Sequence, residues 1–399
     1  MSIPAALSRR RDYSGPALFS YGFRPFFLGG AAWAALNVAL WLPVYFGEFM
    51  LPTALAPLDW HVHEMIYGYA AAVMAGFLLT AIPNWTGRLP VTGAPLAALA
   101  ALWLAGRLAV LASATIGLAA AAIVDLAFLV ALAALAAREI IAGRNWRNLR
   151  ILVVLAALIA GNAVFHFEVA RYGGAHYGAR LGLAAVIGLI MLIGGRIVPS
   201  FTHNWLARTR PGRMPVSFSR YDALCMAAAA LALAAWVAWP ASPVTGVLLV
   251  AAGGLHLVRL ARWAGDRTLS DRLVLVLHVG YAFVPLGFLL TGFAALLPAH
   301  IPLSAGIHAW AAGAAGLMTL AVMTRASLGH TGRPLVASPA TQTIYACALV
   351  AALARIGAAF GWQLVLFHVA ALAWIAAFAI FVAVYGPLLL AHRPAWSTR

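Results

Sequence analysis

The chain contains no lysine: all 26 of its basic residues are arginine, only 10 residues are acidic, and charged side chains occupy 9% of its 399 positions. Globular domains carry roughly 25% charged residues, so this scarcity excludes a sizeable soluble domain. Cysteine is scarcer still. Cys225 and Cys347 are the two present, in different apolar segments, which excludes a disulfide framework and a multi-cysteine zinc site; the lack of a C-x-x-C-H run excludes covalently attached c-type haem. The net charge of +16 would point to nucleic acid if it were concentrated, but the arginines are scattered through short loops between apolar runs, and no nucleic-acid partner is expected. What is present is apolar. With 64% hydrophobic residues and a mean hydropathy of +0.93, the chain reads as an all-α polytopic membrane protein in contact with membrane lipid.

The apolar runs predict twelve transmembrane helices in a single integral membrane domain, residues 1–399. The first runs from Phe23 to Phe46, the second from Trp60 to Ile82, the sixth from Tyr177 to Val198, the tenth from Leu303 to Thr324 and the last from Trp362 to Leu390. Each is long enough, at ~1.5 Å per residue, to cross most or all of a ~30 Å hydrocarbon layer. Counting loops on alternate sides places 21 of the 26 arginines on one side and only Arg171 and Arg180 on the other, with Arg107, Arg196 and Arg355 inside or at the ends of spans. The arginine-rich side is the cytoplasmic one. The expected location is therefore the bacterial inner (cytoplasmic) membrane, with both termini cytoplasmic. Ser8-Arg9-Arg10-Arg11 is faintly similar to a twin-arginine signal, but the run that follows has span length and no evident cleavage site, so it reads as an uncleaved first helix.

The most informative stretch is the second span, which has no charge from Met65 to Trp85, 21 residues, yet carries His61, His63 and Glu64 at its mouth. Ionisable groups at membrane depth are costly and mark functional sites, and histidine is the common nitrogen ligand of haem iron and copper. His61 and His63, two apart, point about 200° from one another at ~3.6 residues per turn, so one helix can serve two neighbouring sites. The bland alternative is that these groups snorkel to the headgroups. By the same topology His166, Glu168, His308 and His368 fall near the outer surface with them, whereas His278, His256, His203 and His330 fall toward the cytoplasm. His278 and Tyr281, three apart on one helix, share a face.

Other candidates follow from the same chemistry. Below His308 the run Ala309-Trp310-Ala311-Ala312-Gly313-Ala314-Ala315-Gly316 has almost no side-chain bulk, which suits either a macrocycle against the backbone or close helix packing. Arg107 and Arg355 are candidate propionate partners, although Arg107 pairs more naturally with Asp125 at similar depth. Arg196 and Arg325 are candidates for a quinol head group or an acidic partner, or are snorkelling ends of spans.

An internal repeat is also visible. Gly87-Arg88-Leu89-Pro90-Val91, Gly212-Arg213-Met214-Pro215-Val216 and Gly332-Arg333-Pro334-Leu335-Val336 recur at intervals of 125 and 120 residues, and His63 and His308 each stand 24 residues before the glycine of their turn. Pseudo-repeats 20–146, 147–267 and 268–399 would group the helices as three four-helix arcs, an arrangement resembling heme-copper oxidase subunit I. Turns rich in Gly, Pro and Arg also recur for ordinary reasons.

Motifs along the whole chain resemble those of the NnrS family: Gly22-Phe23-Arg24-Pro25-Phe26-Phe27-Leu28, Trp60-His61-Val62-His63-Glu64-Met65, Asn84-Trp85-Thr86-Gly87-Arg88, Gly194-Gly195-Arg196-Ile197-Val198-Pro199, Leu277-His278-Val279-Gly280-Tyr281 and Val322-Met323-Thr324-Arg325-Ala326-Ser327-Leu328-Gly329-His330. The resemblance implies haem b, copper and a place in nitric oxide metabolism and denitrification. On that basis the expected function is a quinol-linked nitric oxide reductase, an oxidoreductase forming nitrous oxide, carrying one or two haems b. His63 and His308 are its expected axial pair, His61 and His166 a second site, and His278 and His330 further metal-ligand candidates. Glu64 and Tyr281 are the candidate catalytic groups. The alternatives are a non-enzymatic haem protein that binds or senses nitric oxide, and a twelve-helix transporter.

Overall fold

In a computed structural model the described residues are 13–209 and 212–392, so the topology-bearing Arg9, Arg10, Arg11, Arg210, Arg393 and Arg399 lie outside them. Among the described residues there is no strand, and twelve helices are long and apolar enough to cross a membrane. They are α1 (Phe23–Tyr45), α2 (Pro57–Thr86), α3 (Ala94–Leu111), α4 (Leu118–Ala142), α5 (Trp146–Tyr172), α6 (Tyr177–Thr209), α7 (Arg220–Ala238), α8 (Pro243–Ala261), α9 (Arg272–Leu296), α10 (Leu303–Thr331), α11 (Pro339–Gly357) and α12 (Gln363–Leu390). The expected number and order of spans are both met. Two helices run further than hydropathy predicts: α6 continues past Val198 through His203, and α10 continues past Thr324 through His330, so both histidines are helical instead of lying in loops. Polar side chains do not stop a helix that leaves the hydrocarbon, because its backbone bonds are internal.

The chain divides into two compact units. The first takes the residues up to Gly182 with Ala326–Pro334 and the part beginning at Phe381; the second takes Leu183–Arg325 and Leu335–Ile380. Within the first unit α2 is the centre: 83% of its apolar window is buried, against 28% for α4, whose Ile123 and Val130 face outward. Small residues let the neighbouring helices close on it. A Cβ at Gly76 would stand 2.8 Å from the Phe27 ring, and one at Gly182 would stand 2.3 Å from the Tyr67 hydroxyl.

Among the described residues each unit contains one helix that widens to a π-helix directly after a histidine, at Glu64–Ala70 after His63 and at Ala309–Gly316 after His308. Such turns are uncommon and occur frequently at functional sites, because the extra residue re-aims the side chains beside it. The three Gly-Arg turns share a simpler cause. Gly87, Gly212 and Gly332 all have positive φ, at 70°, 130° and 78°, a conformation that glycine adopts without the steric cost borne by other residues.

Candidate metal and proton site

Five helices of the first unit bring their polar side chains to one buried point. From α2 come His63 and Glu64, from α1 Trp33, from α3 Arg107, from α4 Asp125, and from α5 Asn162 and His166; none of these is more than 7% exposed. Glu64 accepts from Trp33 Nε1 at Oε2 (2.7 Å) and from Arg107 Nη1 at Oε1 (2.8 Å). The other arm of the Arg107 fork, Nη2, donates to Asp125 Oδ1, so one guanidinium clamps the two carboxylates. Asp125 Oδ2 in turn accepts from Asn162 Nδ2 at 2.7 Å and lies 3.0 Å from His166 Nε2. Space for this is made by Gly68, where a Cβ would come within 2.8 Å of both Arg107 Nη1 and Glu64 Oε2.

His63 sits between the two carboxylates. Its Nδ1 is 3.0 Å from Glu64 Oε1, and its Nε2 is 3.0 Å from Asn162 Oδ1 and 3.2 Å from Asp125 Oδ2. Every one of these partners is an acceptor, whereas a neutral imidazole has a single N–H. With neutral histidines, two carboxylates against one guanidinium also leave one negative charge in excess. A single added positive charge, as a proton shared with His63 or as a metal cation at a ring nitrogen, resolves both mismatches at once.

The donor set fits a metal. His63, Asp125 and His166 each offer one ligand atom, and these atoms lie within 4.8 Å of one another. Two imidazoles and a carboxylate are the donors of non-haem iron sites and also suit copper or zinc. Among the described residues His166 Nδ1 is buried with no hydrogen-bond partner, leaving a spare nitrogen beside the set. Residues 17–393 match the family described as NnrS protein. The chain belongs to the NnrS family. No curated protein matches it.

Membership of the NnrS family makes this a membrane protein of nitric oxide metabolism, and the remaining sequence candidates in it fall as follows. His166 is joined to His63, with ring centroids 4.9 Å apart. His61 turns to α1, where Nδ1 is 2.9 Å from Asn37 Oδ1 and the ring stacks on Trp41 at 4.1 Å. Glu168, on α5, accepts from the backbone N–H groups of His176, Tyr177 and Gly178 at 2.8 to 3.0 Å and so caps α6. His330 packs against Tyr21 and Phe23, each at 5.3 Å.

In the second unit Tyr281 meets His256 and Arg259, its hydroxyl 3.1 Å from His256 Nδ1 and 2.9 Å from Arg259 Nη1. His278 Nε2 lies 2.8 Å from Thr202 Oγ1, while its Nδ1 is buried and has no hydrogen-bond partner among the described residues. His308 donates Nδ1–H to Ser304 O at 2.7 Å, which leaves Nε2 as its lone-pair nitrogen. The small-residue face below it is occupied: a Cβ at Gly313 would meet the Phe283 ring at 2.3 Å, and one at Gly316 the Trp374 ring at 2.7 Å. A macrocycle does not fit against these glycines, and the small residues serve close packing. Arg325 lies over the Phe201 ring at 4.2 Å and Arg355 over Phe367 at 4.8 Å, whereas Arg196 is exposed.

Sequence reasoning missed Asn162 altogether and treated Asp125 only as the partner of Arg107, a pairing the structure contains. A signal was available. Asn162 and His166 are four apart, on one face of an otherwise apolar helix, and that spacing points two polar groups at the same neighbour.

Proposed function

We propose that this NnrS-family protein is a quinol-linked nitric oxide reductase whose metal ion is held by His63, Asp125 and His166. The reading is carried by one observation, the convergence of those three ligand atoms within 4.8 Å in the buried centre of a transmembrane unit. The reaction balances: two nitric oxide molecules and one quinol give nitrous oxide, water and quinone, the quinol supplying both electrons and both protons. A bound copper or iron ion would supply a coordination position for nitric oxide and a route for single electrons. Copper or iron at this site is the cofactor that family membership favours, and the packed face below His308 leaves no slot for a haem there.

The chain's own residues do the rest. Arg107 holds Glu64 and Asp125 apart and keeps their inner oxygens aimed at the ring of His63. Glu64 Oε1 lies 3.0 Å from His63 Nδ1, so the carboxylate accepts the Nδ1–H, fixes the ring and leaves Nε2 as the lone-pair nitrogen that would face the metal. Burial of His63 and Glu64 excludes bulk water from this pair and strengthens its electrostatic contacts.

The direct test is anaerobic assay of the purified protein with a reduced short-chain quinol and nitric oxide. One nitrous oxide should form for every two nitric oxide molecules consumed. Tight binding of nitric oxide with no nitrous oxide would overturn the reductase and favour a non-enzymatic nitric oxide-binding protein, which the closed burial of the cluster also suits. A purified protein free of metal and haem would return attention to a transporter.

A further inference from the structure

The first Gly-Arg turn has no part in the reaction above, yet it walls a cavity. Gly87 ends α2 in a positive-φ conformation, its N–H bonded to Pro83 O at 2.9 Å, so the chain reverses and lays Arg88, Leu89 and Pro90 against the end of α4. Between them is a cavity of about 700 Å³ lined on one side by Leu89, Pro90 and Leu135 and on the other by Arg88, Arg138 and Glu139. Glu139 is the buried member. It accepts from Arg88 Nε at 2.5 Å and from Arg138 Nε at 2.9 Å, while the two arginine side chains are 44% and 61% exposed.

Two guanidinium groups against one carboxylate leave a positive charge in excess. Among the described residues Arg88 donates only through Nε, so both its terminal nitrogens remain available to a ligand. The cavity lies at the end of α2 and α4 where the arginines of the chain collect, at the level of lipid headgroups. Basic pockets at transmembrane helix ends select anionic headgroups by this combination of apolar wall and cationic rim.

We propose that the Arg88–Glu139–Arg138 cavity binds the phosphate of an anionic phospholipid, with Leu89, Pro90 and Leu135 against the glycerol and upper acyl chain. Glu139 serves as an internal counterion. It holds the two arginines in place and weakens the site, so that only a ligand with a net negative charge completes it.

Binding of tail-labelled phosphatidylglycerol to the purified full-length protein in nonionic detergent tests this, with phosphatidylcholine and inorganic phosphate as the other arms. At about 1 kcal/mol per unit charge near a headgroup, Glu139→Gln should tighten phosphatidylglycerol about 5-fold. The triple variant Arg88→Gln/Arg138→Gln/Glu139→Gln should bind about 30-fold more weakly than Glu139→Gln alone. Because Glu139→Gln gains affinity, a damaged fold cannot mimic its result. Equal binding of phosphatidylcholine, or no response to these substitutions, overturns the site. Displacement of the lipid by millimolar inorganic phosphate overturns the lipid assignment in favour of a soluble phosphate ligand.

Discussion

Both units bury an arginine with an aspartate and a histidine, and the two clusters differ in what they leave unsatisfied. In the second unit Arg259 donates Nε to Asp222 at 3.1 Å and Nη1 to the Tyr281 hydroxyl, and Arg262 stands 3.5 Å from the other Asp222 oxygen. His256 has an acceptor at Nε2, the Cys225 carbonyl at 3.3 Å, so Nδ1 is free to accept from Tyr281. With His256 neutral, two guanidinium groups face one carboxylate there, so the cluster carries an excess of positive charge, and its imidazole has an acceptor on one side and a donor on the other. In the first unit His63 has acceptors on both sides and carboxylates outnumber guanidinium groups. The two clusters therefore differ in the sign of their excess charge, and the first, with carboxylates in excess and acceptors on both sides of an imidazole, is the one suited to an added cation.

Metal content separates the clusters most sharply. His63→Ala, Asp125→Asn and His166→Ala should each lose all or most of the bound transition metal in the purified protein, whereas His256→Gln and Tyr281→Phe should retain it, as read by elemental analysis. Retention of metal by all three first-unit variants would break the distinction.

Next in size is the loss of a buried counterion. Arg107→Ala strands Glu64 and Asp125 together and should cost about 3–5 kcal/mol in unfolding free energy, while Arg259→Ala leaves Asp222 beside Arg262 and its Ser219 backbone bond and should cost about 1–3 kcal/mol. Chemical unfolding in mixed micelles measures both; equal costs would remove the charge argument. Tyr281→Phe removes one hydroxyl and leaves two polar partners in place, for about 1–2 kcal/mol in the same assay.

The smallest effect belongs to an exposed pair outside the spans. The Arg213 guanidinium beside Asp266 holds its carboxyl below the usual carboxylate range. A depressed folded value means that the contribution is present above the ordinary carboxylate pKa and lost as pH falls through the folded one. Both partners are more than half exposed, so screening limits the effect to below about 0.5 kcal/mol, and Asp266→Asn should remove the acid-side difference in melting temperature without altering metal content.

Much of this was legible in the residues. Twelve spans, the central importance of the second and the Arg107–Asp125 pairing follow from hydropathy and from the cost of charge in lipid. The grouping of ligands was less legible. His166 was expected beside His61, and the Tyr281 hydroxyl beside its neighbour in sequence His278, because spacing along one helix shows which face a side chain occupies and not which helix that face meets. The π-turn at Glu64–Ala70 adds to this, since periodicity assumes regular winding and the extra residue rotates everything around it.

By itself the sequence determined that this is a twelve-helix membrane protein of the NnrS family with histidines and acids held in its spans, because apolar length and unpaired charge act locally and leave their mark residue by residue. The tertiary structure alone decided that His63, Asp125 and His166 share one point while His256 and Tyr281 join Arg259 and Asp222 in a separate cluster with an excess of positive charge. Those outcomes depend on which helices pack together, and packing is set by small-residue contacts such as those at Gly68, Gly76 and Gly182, between positions far apart in the chain.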